Sequence, residues 1–415
     1  MDNIKELANY CLGCINKPCS QKGCPMHTEI SEFIKKVKEE NIEEAYNILS
    51  KNNICSHICS IVCPQEIQCE GSCIRGIKQT PTQIGKLEKY VNEWAEENGI
   101  VYKYEKKEAN NKKVAVIGSG PSGISVAFEL VMAGFSVGIF EKESVFGGLL
   151  TYGIPDFRLK KSLVDDVKEK LVNLGVNIYY NKELGKDFSI DDIKNDYDAI
   201  YVGIGAPISS MYKLSEEETE NSIYDSDSFI RAYSSKNFIN SLDTVVIVGG
   251  GNVAMDASRV ALKMGAKKIK ILYRRDRVHM PANQSELDDA ILEGVEFKEL
   301  TRVDSANIEN GKIVSLNCVP TKIVDGKATD DDEKERFIEE ASQVVFAIGL
   351  KPDKNLIEKN SLELNDWGYL KTDENGRTSM PKVYAGGDVA SNDATVCKAL
   401  ASGRKAAFSI IEDLK

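Results

Sequence analysis

The strongest constraint on the fold is a pattern that occurs twice: a short apolar strand, a glycine-rich turn and a helix leading to another strand. The first copy occupies residues 113–140 and contains the turn sequence GSGPSG at 118–123. The second copy occupies residues 244–273 and contains GGGNVA at 249–254. Each copy reads as a βαβ unit, which predicts an α/β fold with parallel sheets. Helices are predicted over 122–133 and 253–264.

The glycine turns also indicate what the two units bind. Glycines permit a tight turn and a close approach of the backbone to a pyrophosphate, and the helix that follows presents its N-terminus to the phosphates. In the first unit Glu141 ends the second strand, where a carboxylate accepts hydrogen bonds from ribose hydroxyls. In the second unit that strand ends in Arg274 and Arg275, which suit a 2′-phosphate and favour NADPH over NADH. The alternative is that the two arginines form a solvated face.

Two dinucleotide sites in one chain predict a tightly held flavin and an exchangeable nicotinamide. Hydride transfer to a flavin needs no protein acid, base or nucleophile, because the protein only positions and tunes the cofactors. The sequence therefore predicts no catalytic residue in the usual sense. The three histidines are too few and too scattered for a histidine-based site.

Cysteines are the second unusual feature, since nine of the eleven lie in the first 73 residues. They form one burst over 11–24 and another over 55–73. No secretory signal or long apolar span is evident, so we expect a cytoplasmic protein whose clustered thiols are metal ligands rather than disulfides. Iron–sulfur clusters fit the neighbouring flavin, whereas zinc, the rival, is redox-silent. Cys318 and Cys397, which stand alone in the nucleotide-binding region, are expected to be ordinary packing thiols.

Composition narrows the choice of partners. The formal net charge of −11 argues against nucleic acid and anionic membranes as partners. At 415 residues, the chain is long enough for two or three domains with sizeable cores.

Taken together, the motifs carry a family resemblance that extends over essentially the whole chain. The chain resembles the small (beta) subunit of NADPH-dependent glutamate synthase. It is similar as well to the large subunit of the electron-bifurcating NADH-dependent ferredoxin–NADP oxidoreductase and to the N-terminal part of dihydropyrimidine dehydrogenase. The segments that carry the resemblance are CLGCINKPCSQKGCP, CPQEIQCEGSC, IGKLE, GSGPSG, GGLLTYGIPDFRL, GGGNVAMD, YRR, MPA, GGDV and GRKAA.

The resemblance implies a helical iron–sulfur domain followed by a two-domain flavoprotein of the disulfide-reductase type. The expected boundaries are 1–110 for the domain with two 4Fe–4S clusters, 111–240 and 344–415 for a split FAD domain, and 241–343 for an inserted NADPH domain.

The resemblance also implies interlaced cluster ligands. The first 4Fe–4S cluster would take Cys11, Cys14, Cys19 and Cys73, and the second would take Cys24, Cys63, Cys69 and Glu88. The alternative for Glu88 is an ordinary surface acid on a helix. Cys55 and Cys59 match none of the implied ligand positions and are expected to be packing thiols. Four residues separate Cys19 from Cys24 where the family pattern has three, so this sequence departs from the pattern at that point.

The cofactor contacts implied by the motifs form two sets. The FAD set is Gly118, Gly120, Pro121, Ser122, Gly123, Glu141, Lys142, Gly147, Gly148, Leu149, Gly153, Ile154, Arg158, Gly205, Gly386, Gly387, Asp388, Ala394, Thr395 and Val396. The NADPH set is Gly249, Gly250, Gly251, Asn252, Val253, Ala254, Arg274, Arg275 and Gly349. For Thr395 the alternative is a simple helix cap.

The implied activity is the passage of electrons between NADPH, FAD and two clusters to a partner subunit, in either direction. A glutamate synthase large chain would be the partner of a small chain. A small subunit with FAD and a 2Fe–2S cluster would instead indicate bifurcation, with ferredoxin as a further partner. A hypothesis of another class is a non-enzymatic scaffold with a zinc-bearing arm.

Overall fold

The computed structural model describes residues 2–215, 222–235 and 242–415. The chain divides into two compact units. The first contains Met1–Thr151, Phe157–Ala206 and Pro352–Lys415, and the second contains Tyr152–Asp156 and Pro207–Lys351.

The α-helices of the described ranges alternate with strands over much of the chain. They are α1 (Asp2–Asn9), α2 (Ile30–Lys38), α3 (Ile42–Asn52), α4 (Ser56–Val62), α5 (Ile84–Glu97), α6 (Pro121–Met132), α7 (Leu149–Tyr152), α8 (Lys161–Asn173), α9 (Ile190–Ile193), α10 (Ser226–Ser234), α11 (Asn252–Lys263), α12 (Gln284–Leu292), α13 (Lys354–Lys359) and α14 (Val396–Asp413).

The strands of the same ranges begin only after α5. They are β1 (Lys113–Ile117), β2 (Ser136–Phe140), β3 (Asn177–Tyr179), β4 (Ala199–Val202), β5 (Ile208–Ser209), β6 (Ile223–Asp225), β7 (Thr244–Val248), β8 (Lys268–Leu272), β9 (Glu296–Lys298), β10 (Thr301–Glu309), β11 (Lys312–Val324), β12 (Lys327–Asp330), β13 (Phe337–Glu340), β14 (Gln343–Phe346), β15 (Leu350–Lys351) and β16 (Val383–Ala385).

Helices α1, α2, α3 and α5 pack around one apolar core in the N-terminal part of the first unit, and α4 packs against α5. Apolar residues recur there at helical spacing, so each helix buries one stripe. Phe33, Ile34, Leu49 and Leu87 are fully buried in that core. Asn41 caps α3, because its side chain accepts a hydrogen bond from the third residue of the helix. Cys69 belongs to this core, and Cys11, Cys19 and Cys24 pack against it, so both cysteine bursts border the core.

A five-stranded parallel sheet forms the rest of the first unit, with strand order β16-β4-β1-β2-β3. Four of the five residues of β1 are buried, as expected for an inner strand covered on both faces. Helices α6 and α14 pack closely in the same unit. A Cβ at Gly403 would lie 2.2 Å from the carbonyl oxygen of Ser122, so only glycine permits this approach.

The second unit contains another parallel sheet of five strands, in the order β6-β14-β7-β8-β9. An antiparallel sheet of β10, β11 and β12, with β13 also paired to β11, follows the last parallel strand along the chain. The predicted α/β class is therefore confirmed, and both predicted βαβ units are present.

The second unit differs from the predicted NADPH domain at both ends. Strand β14 was predicted to begin the second part of the FAD domain, but it pairs with β6 and β7 in the second sheet. An apolar strand of four buried residues does not reveal from its pattern which parallel sheet it enters. The predicted boundary at 240/241 lies outside the described residues, but β6 and α10, which it would assign to the FAD domain, also belong to the second unit.

Candidate functional site

The four cysteines predicted for the first cluster line one pocket among the N-terminal helices. Cys11, Cys14 and Cys19 come from the first burst, and Cys73 comes from the end of the second. The thiol of Cys73 donates to Thr82 Oγ1 at 3.6 Å. Burial raises the pKa of the Cys19 thiol to about 11, which a bound cation would reverse, because the thiolate is the ligand form. Four thiols around one pocket fit the donor set of a 4Fe–4S cluster.

The extra residue between Cys19 and Cys24 is taken up by a change of helix type. Residues Cys19–Gly23 form a π-helical turn, in which the backbone N–H of Cys24 donates to Cys19 O at 2.8 Å. A π-turn accommodates one more residue than an α-turn and is frequent at functional sites. The thiol of Cys24 interacts with that of Cys397 in the second donor group, although the spacing departs from the family pattern.

The residues predicted for the second cluster also lie near one another. Burial, with the nearby charges of Glu88 and Cys24, raises the pKa of the Cys69 thiol. Glu88 is partly buried and accepts a hydrogen bond from Ser56 Oγ at 3.0 Å. Burial raises the pKa of Glu88 to about 8. Glu88 is thus a partly buried carboxyl on α5 that is engaged with Ser56, and its oxygen fits the role of a non-cysteine ligand, which stays a prediction.

Two further thiols belong to this second group and were missed as part of it. Cys59, Cys63 and Cys397 place their sulfur atoms within 4.8 Å of one another. Cys59 and Cys397 are buried, as expected of packing thiols, but they adjoin a predicted cluster ligand instead of standing alone. The available signal was that Cys397 directly follows the segment assigned to flavin contact.

The first glycine turn has the geometry that a dinucleotide requires. Gly118 has a φ of +101°, and a Cβ at this position would lie 2.4 Å from the carbonyl oxygen of Gly203. A Cβ at Gly123 would lie 2.0 Å from Gly118 O, so the third glycine allows α6 to start tightly against β1. Among the described residues, none apart from the chain neighbours of Gly120 comes within 4 Å of its Cβ position, which leaves room for a phosphate beside the backbone. Pro121 and Ser122 begin α6, and its N-terminus faces the same turn.

Glu141 is held in place by the turn itself. Its Oε2 accepts hydrogen bonds from Ser119 N at 2.9 Å and Ser119 Oγ at 2.5 Å, and its Oε1 accepts one from Glu143 N at 2.9 Å. A carboxylate has about four acceptor positions, so one remains for a ribose hydroxyl. Glu141 therefore stabilises the turn and also fits the predicted contact with a ribose hydroxyl.

The two halves of the predicted flavin site come together in the first unit. A Cβ at Gly387 would lie 2.8 Å from Ser122 Oγ, and a Cβ at Gly148 would lie 3.0 Å from Gly120 Cα. Burial raises the pKa of Asp388 to about 6. Gly386 precedes this turn at the end of β16.

The remaining predicted flavin residues have more varied places. Thr395 is the N-cap of α14, since its hydroxyl accepts a hydrogen bond from the backbone of Lys398; the cap and the predicted contact both remain open to it. Three others of the first unit have a positive φ: Gly147, Gly205 and Ala394. Lys142 and Leu149 are exposed, and Arg158 is half-buried. Val396 is the first residue of α14. Gly153 and Ile154 lie in Tyr152–Asp156, which belongs to the second unit.

The second glycine turn has the same construction within the second unit. A Cβ at Gly249 would lie 2.2 Å from Ala347 O, and one at Gly250 would lie 2.7 Å from the ring of Tyr273. Gly251 is the N-cap of α11, and Ala254, in place of the third glycine, is fully buried. The other predicted residues of this set are Asn252, Val253 and Gly349. The side-chain Oδ1 of Asn252 accepts a hydrogen bond from Asn283 N at 2.7 Å. Val253 is partly exposed, and Gly349 has a positive φ.

The two arginines at the end of β8 have different surroundings. Arg274 has an exposed side chain, and its carbonyl oxygen accepts a hydrogen bond from Thr321 Oγ1 at 2.7 Å. Arg275 is half-buried and donates through Nη2 to Gly326 O at 3.1 Å. Arg274 is therefore the guanidinium with the greater freedom to meet a 2′-phosphate.

Comparison with known proteins agrees with this geometry. Residues 112–403 match the family model of the pyridine nucleotide-disulphide oxidoreductases. Residues 1–100 match the model for domain II of dihydropyrimidine dehydrogenase, with its 4Fe-4S cluster. Among the described residues, no helix is both long and apolar enough to cross a membrane.

Curated relatives match over nearly the full chain. The glutamate synthase [NADPH] small chain of Escherichia coli K12 is 34% identical, with 99% of this chain and 91% of the relative covered. The NADP(+)-dependent formate dehydrogenase subunit beta of Moorella thermoacetica is 32% identical, with 97% and 60% covered. The NAD-dependent dihydropyrimidine dehydrogenase subunit PreT of Escherichia coli O157:H7 is 30% identical, with 98% and 93% covered.

Solved structures share the fold at lower identity. FprA of Mycobacterium tuberculosis in complex with NADPH superposes with a TM-score of 0.63 at 18% identity, covering 73% of this chain and 84% of FprA. The thioredoxin reductase of T. acidophilum gives 0.57 at 21% identity, covering 73% and 99%. The chain therefore belongs to the pyridine nucleotide-disulphide oxidoreductase family, as an FAD- and NAD(P)-dependent iron–sulfur oxidoreductase of the glutamate synthase small-chain type.

Proposed function

We propose that the chain passes electrons between NADPH, FAD and two 4Fe–4S clusters, and exchanges them with a partner subunit. The observation that carries this proposal is that one unit contains a dinucleotide turn and two separate groups of sulfur donors. The second group adjoins the flavin-binding part, because Cys397, on α14, directly follows the predicted flavin segment in the chain. A structural zinc arm would be redox-silent and would give no reason for this proximity.

The chain's own residues bind and orient the cofactors rather than perform acid–base chemistry. When bound, a flavin supplies the conversion between two-electron and one-electron transfer. The glycine turn at 118–123 and the N-terminus of α6 hold its pyrophosphate, and Glu141 holds its ribose. In the second unit the turn at 249–254 holds the phosphates of NADPH, and Arg274 holds the 2′-phosphate.

The two groups of cysteine donors differ in their access to solvent, which suggests different roles. Cys63 and Cys69 of the second group are buried, so water is kept from that site. The lining of the pocket of the first group includes Leu12, which is 54% exposed, and Ile74, which is 43% exposed. We assign exchange with the partner to the first group, because a nearby apolar surface favours contact with another protein.

Analysis of the cofactors tests the electron-transfer proposal. Protein prepared anaerobically should contain about eight iron atoms, matching sulfide and one flavin per chain, since each cubane cluster holds four irons. It should reduce ferricyanide with NADPH. Zinc without flavin would support the scaffold hypothesis and refute the enzyme.

Identification of the partner tests the proposed exchange of electrons with another subunit. The 34% identity with a glutamate synthase [NADPH] small chain supports a glutamate synthase large chain as partner. Anaerobic affinity purification from the source cell should then recover a large amidotransferase chain. Recovery of a small subunit with flavin and a 2Fe–2S cluster would instead indicate electron bifurcation with ferredoxin, and would refute the glutamate synthase assignment.

A further inference from the structure

Cys397 occupies a position that links the flavin-binding part to the second group of donors. It is the second residue of α14, a helix that starts directly after Ala394 and Thr395 of the predicted flavin segment. Its side chain is almost fully buried, with 3% exposure. The same helix is fixed against the N-terminal helices further along, because Arg404 donates to the carbonyl oxygen of Met26 at 3.0 Å. The thiol is thus held by a braced helix rather than by a loop.

The neighbours of this thiol are sulfur atoms. Its Sγ lies within 4.8 Å of those of Cys59 and Cys63, and it also interacts with the thiol of Cys24. Cys24 and Cys63 are two of the four donors assigned to the second cluster. The other close thiol, Cys59, accepts a hydrogen bond from Asn53 Nδ2 at 3.3 Å and lies on α4, away from the flavin segment in the chain. Cys397 is therefore the buried thiol that joins both ligand cysteines to the flavin segment.

The donor set of the second cluster is complete without this residue. Cys24, Cys63, Cys69 and Glu88 provide four donors, which is the number that a cubane cluster requires. A thiol whose sulfur lies within 4.8 Å of a ligand sulfur, and which is not needed as a ligand, can act as a hydrogen-bond donor to it, because S–H is a weak donor and sulfur a weak acceptor. Hydrogen bonds to cluster sulfur atoms are among the features that set the reduction potential.

We propose that Cys397 is a positioning residue that donates an S–H···S hydrogen bond to the sulfur of Cys63, a ligand of the second cluster, and raises the reduction potential of that cluster. This inference rests on the proposed two-cluster function. The sign follows from charge: reduction adds an electron, and a hydrogen bond stabilises the more negative state more strongly. Cys397 would thereby set the difference in reduction potential between the flavin and the second cluster, while the potential of the first cluster stays unchanged.

The test compares two replacements of Cys397 with a matched control elsewhere. Cys397→Val removes the donor while keeping an apolar side chain of similar size, and Cys397→Ser keeps a donor. Cys318→Val is the control, because Cys318 is also a buried free thiol but lies in β11 of the second unit. Each anaerobically prepared protein is analysed for iron and titrated potentiometrically, with the two clusters followed by electron paramagnetic resonance.

We expect the Cys397→Val variant to keep its iron and to show a lower potential for the second cluster only. A tenfold fall in the reduced-to-oxidised ratio at fixed poise corresponds to about 59 mV for one electron. Cys397→Ser should recover most of this shift, and Cys318→Val should show none. An exchangeable proton coupled to the second cluster should be seen in wild type and in Cys397→Ser, and be lost in Cys397→Val.

Other outcomes separate this inference from the proposed function. Wild-type protein with a single cluster would refute the two-cluster function itself. Two clusters in wild type, with unchanged potentials in Cys397→Val, would refute the hydrogen bond alone. Loss of about four irons in Cys397→Val would make Cys397 a ligand, and would also overturn the proposal.

Discussion

Coenzyme preference gives the sharpest test of the nicotinamide site, and the decisive change is Arg274→Ala. The guanidinium of Arg274 is exposed, while that of Arg275 is engaged with Gly326 O. A charge-assisted hydrogen bond contributes about 1.5–3 kcal/mol, and solvent screening places an exposed one near the lower limit. A loss of about 1.4 kcal/mol is a factor of ten. We therefore expect KM for NADPH to rise about tenfold, with KM for NADH nearly unchanged.

The assay is steady-state reduction of ferricyanide by the holoenzyme, with either coenzyme varied. Arg277→Ala is the matched control, because Arg277 lies in the same loop but pairs with Glu299 and stacks over the ring of Phe297. That control should change the two KM values by similar factors. An unchanged ratio of the two KM values in Arg274→Ala would refute the assignment of the 2′-phosphate to this residue.

Three further predictions concern the first unit. Gly123→Ala places a Cβ 2.0 Å from a carbonyl oxygen and should lower the unfolding free energy by about 1–3 kcal/mol. Gly120→Ala should leave the apoprotein stable and weaken only FAD binding. Equal shifts in the unfolding temperatures of the two variants would contradict this. Because the pKa of Asp388 is raised, the folded apoprotein binds this proton more tightly than the unfolded chain does. The unfolding free energy of wild type should therefore rise by up to about 3 kcal/mol relative to that of Asp388→Asn as pH falls from 7 to 4. Parallel curves of unfolding free energy against pH, from urea titrations, would refute this. Arg404→Ala leaves the carboxylate of Glu129 unpaired in a largely buried site and should destabilise by about 3–5 kcal/mol; a loss below about 1 kcal/mol in urea unfolding would contradict the ion pair's role.

The parts of the fold that the sequence predicted are those with strong local signals. The turns at 118–123 and 249–254 require glycine or alanine for steric reasons, so the pattern and the structure coincide there. Helix α6 begins at Pro121, one residue before the predicted start, and α11 begins at Asn252, also one residue before. The predicted Glu141 is likewise at the end of β2, because strand length and turn geometry fix its place.

The parts that the sequence did not predict depend on contacts between distant segments. The pattern of β14 shows that it is buried, but its sheet is decided by pairing with β6 and β7. Four residues between Cys19 and Cys24 gave no indication of a π-turn, since that geometry depends on where Cys24 must point. The position of Cys397 beside Cys63 is equally non-local, because more than three hundred residues separate the two in the chain.

The bracing of α14 has a consequence for the order of events during synthesis. The chain emerges from the ribosome N-terminus first, and domains generally fold as they emerge. Both cysteine bursts are then available long before Cys397 and Arg404, which complete the surroundings of the second group. A nascent chain halted before residue 397 would therefore leave the second group open on one side. Enclosure of that group from solvent is consequently a late step of biosynthesis, and the flavin-binding part sets its timing.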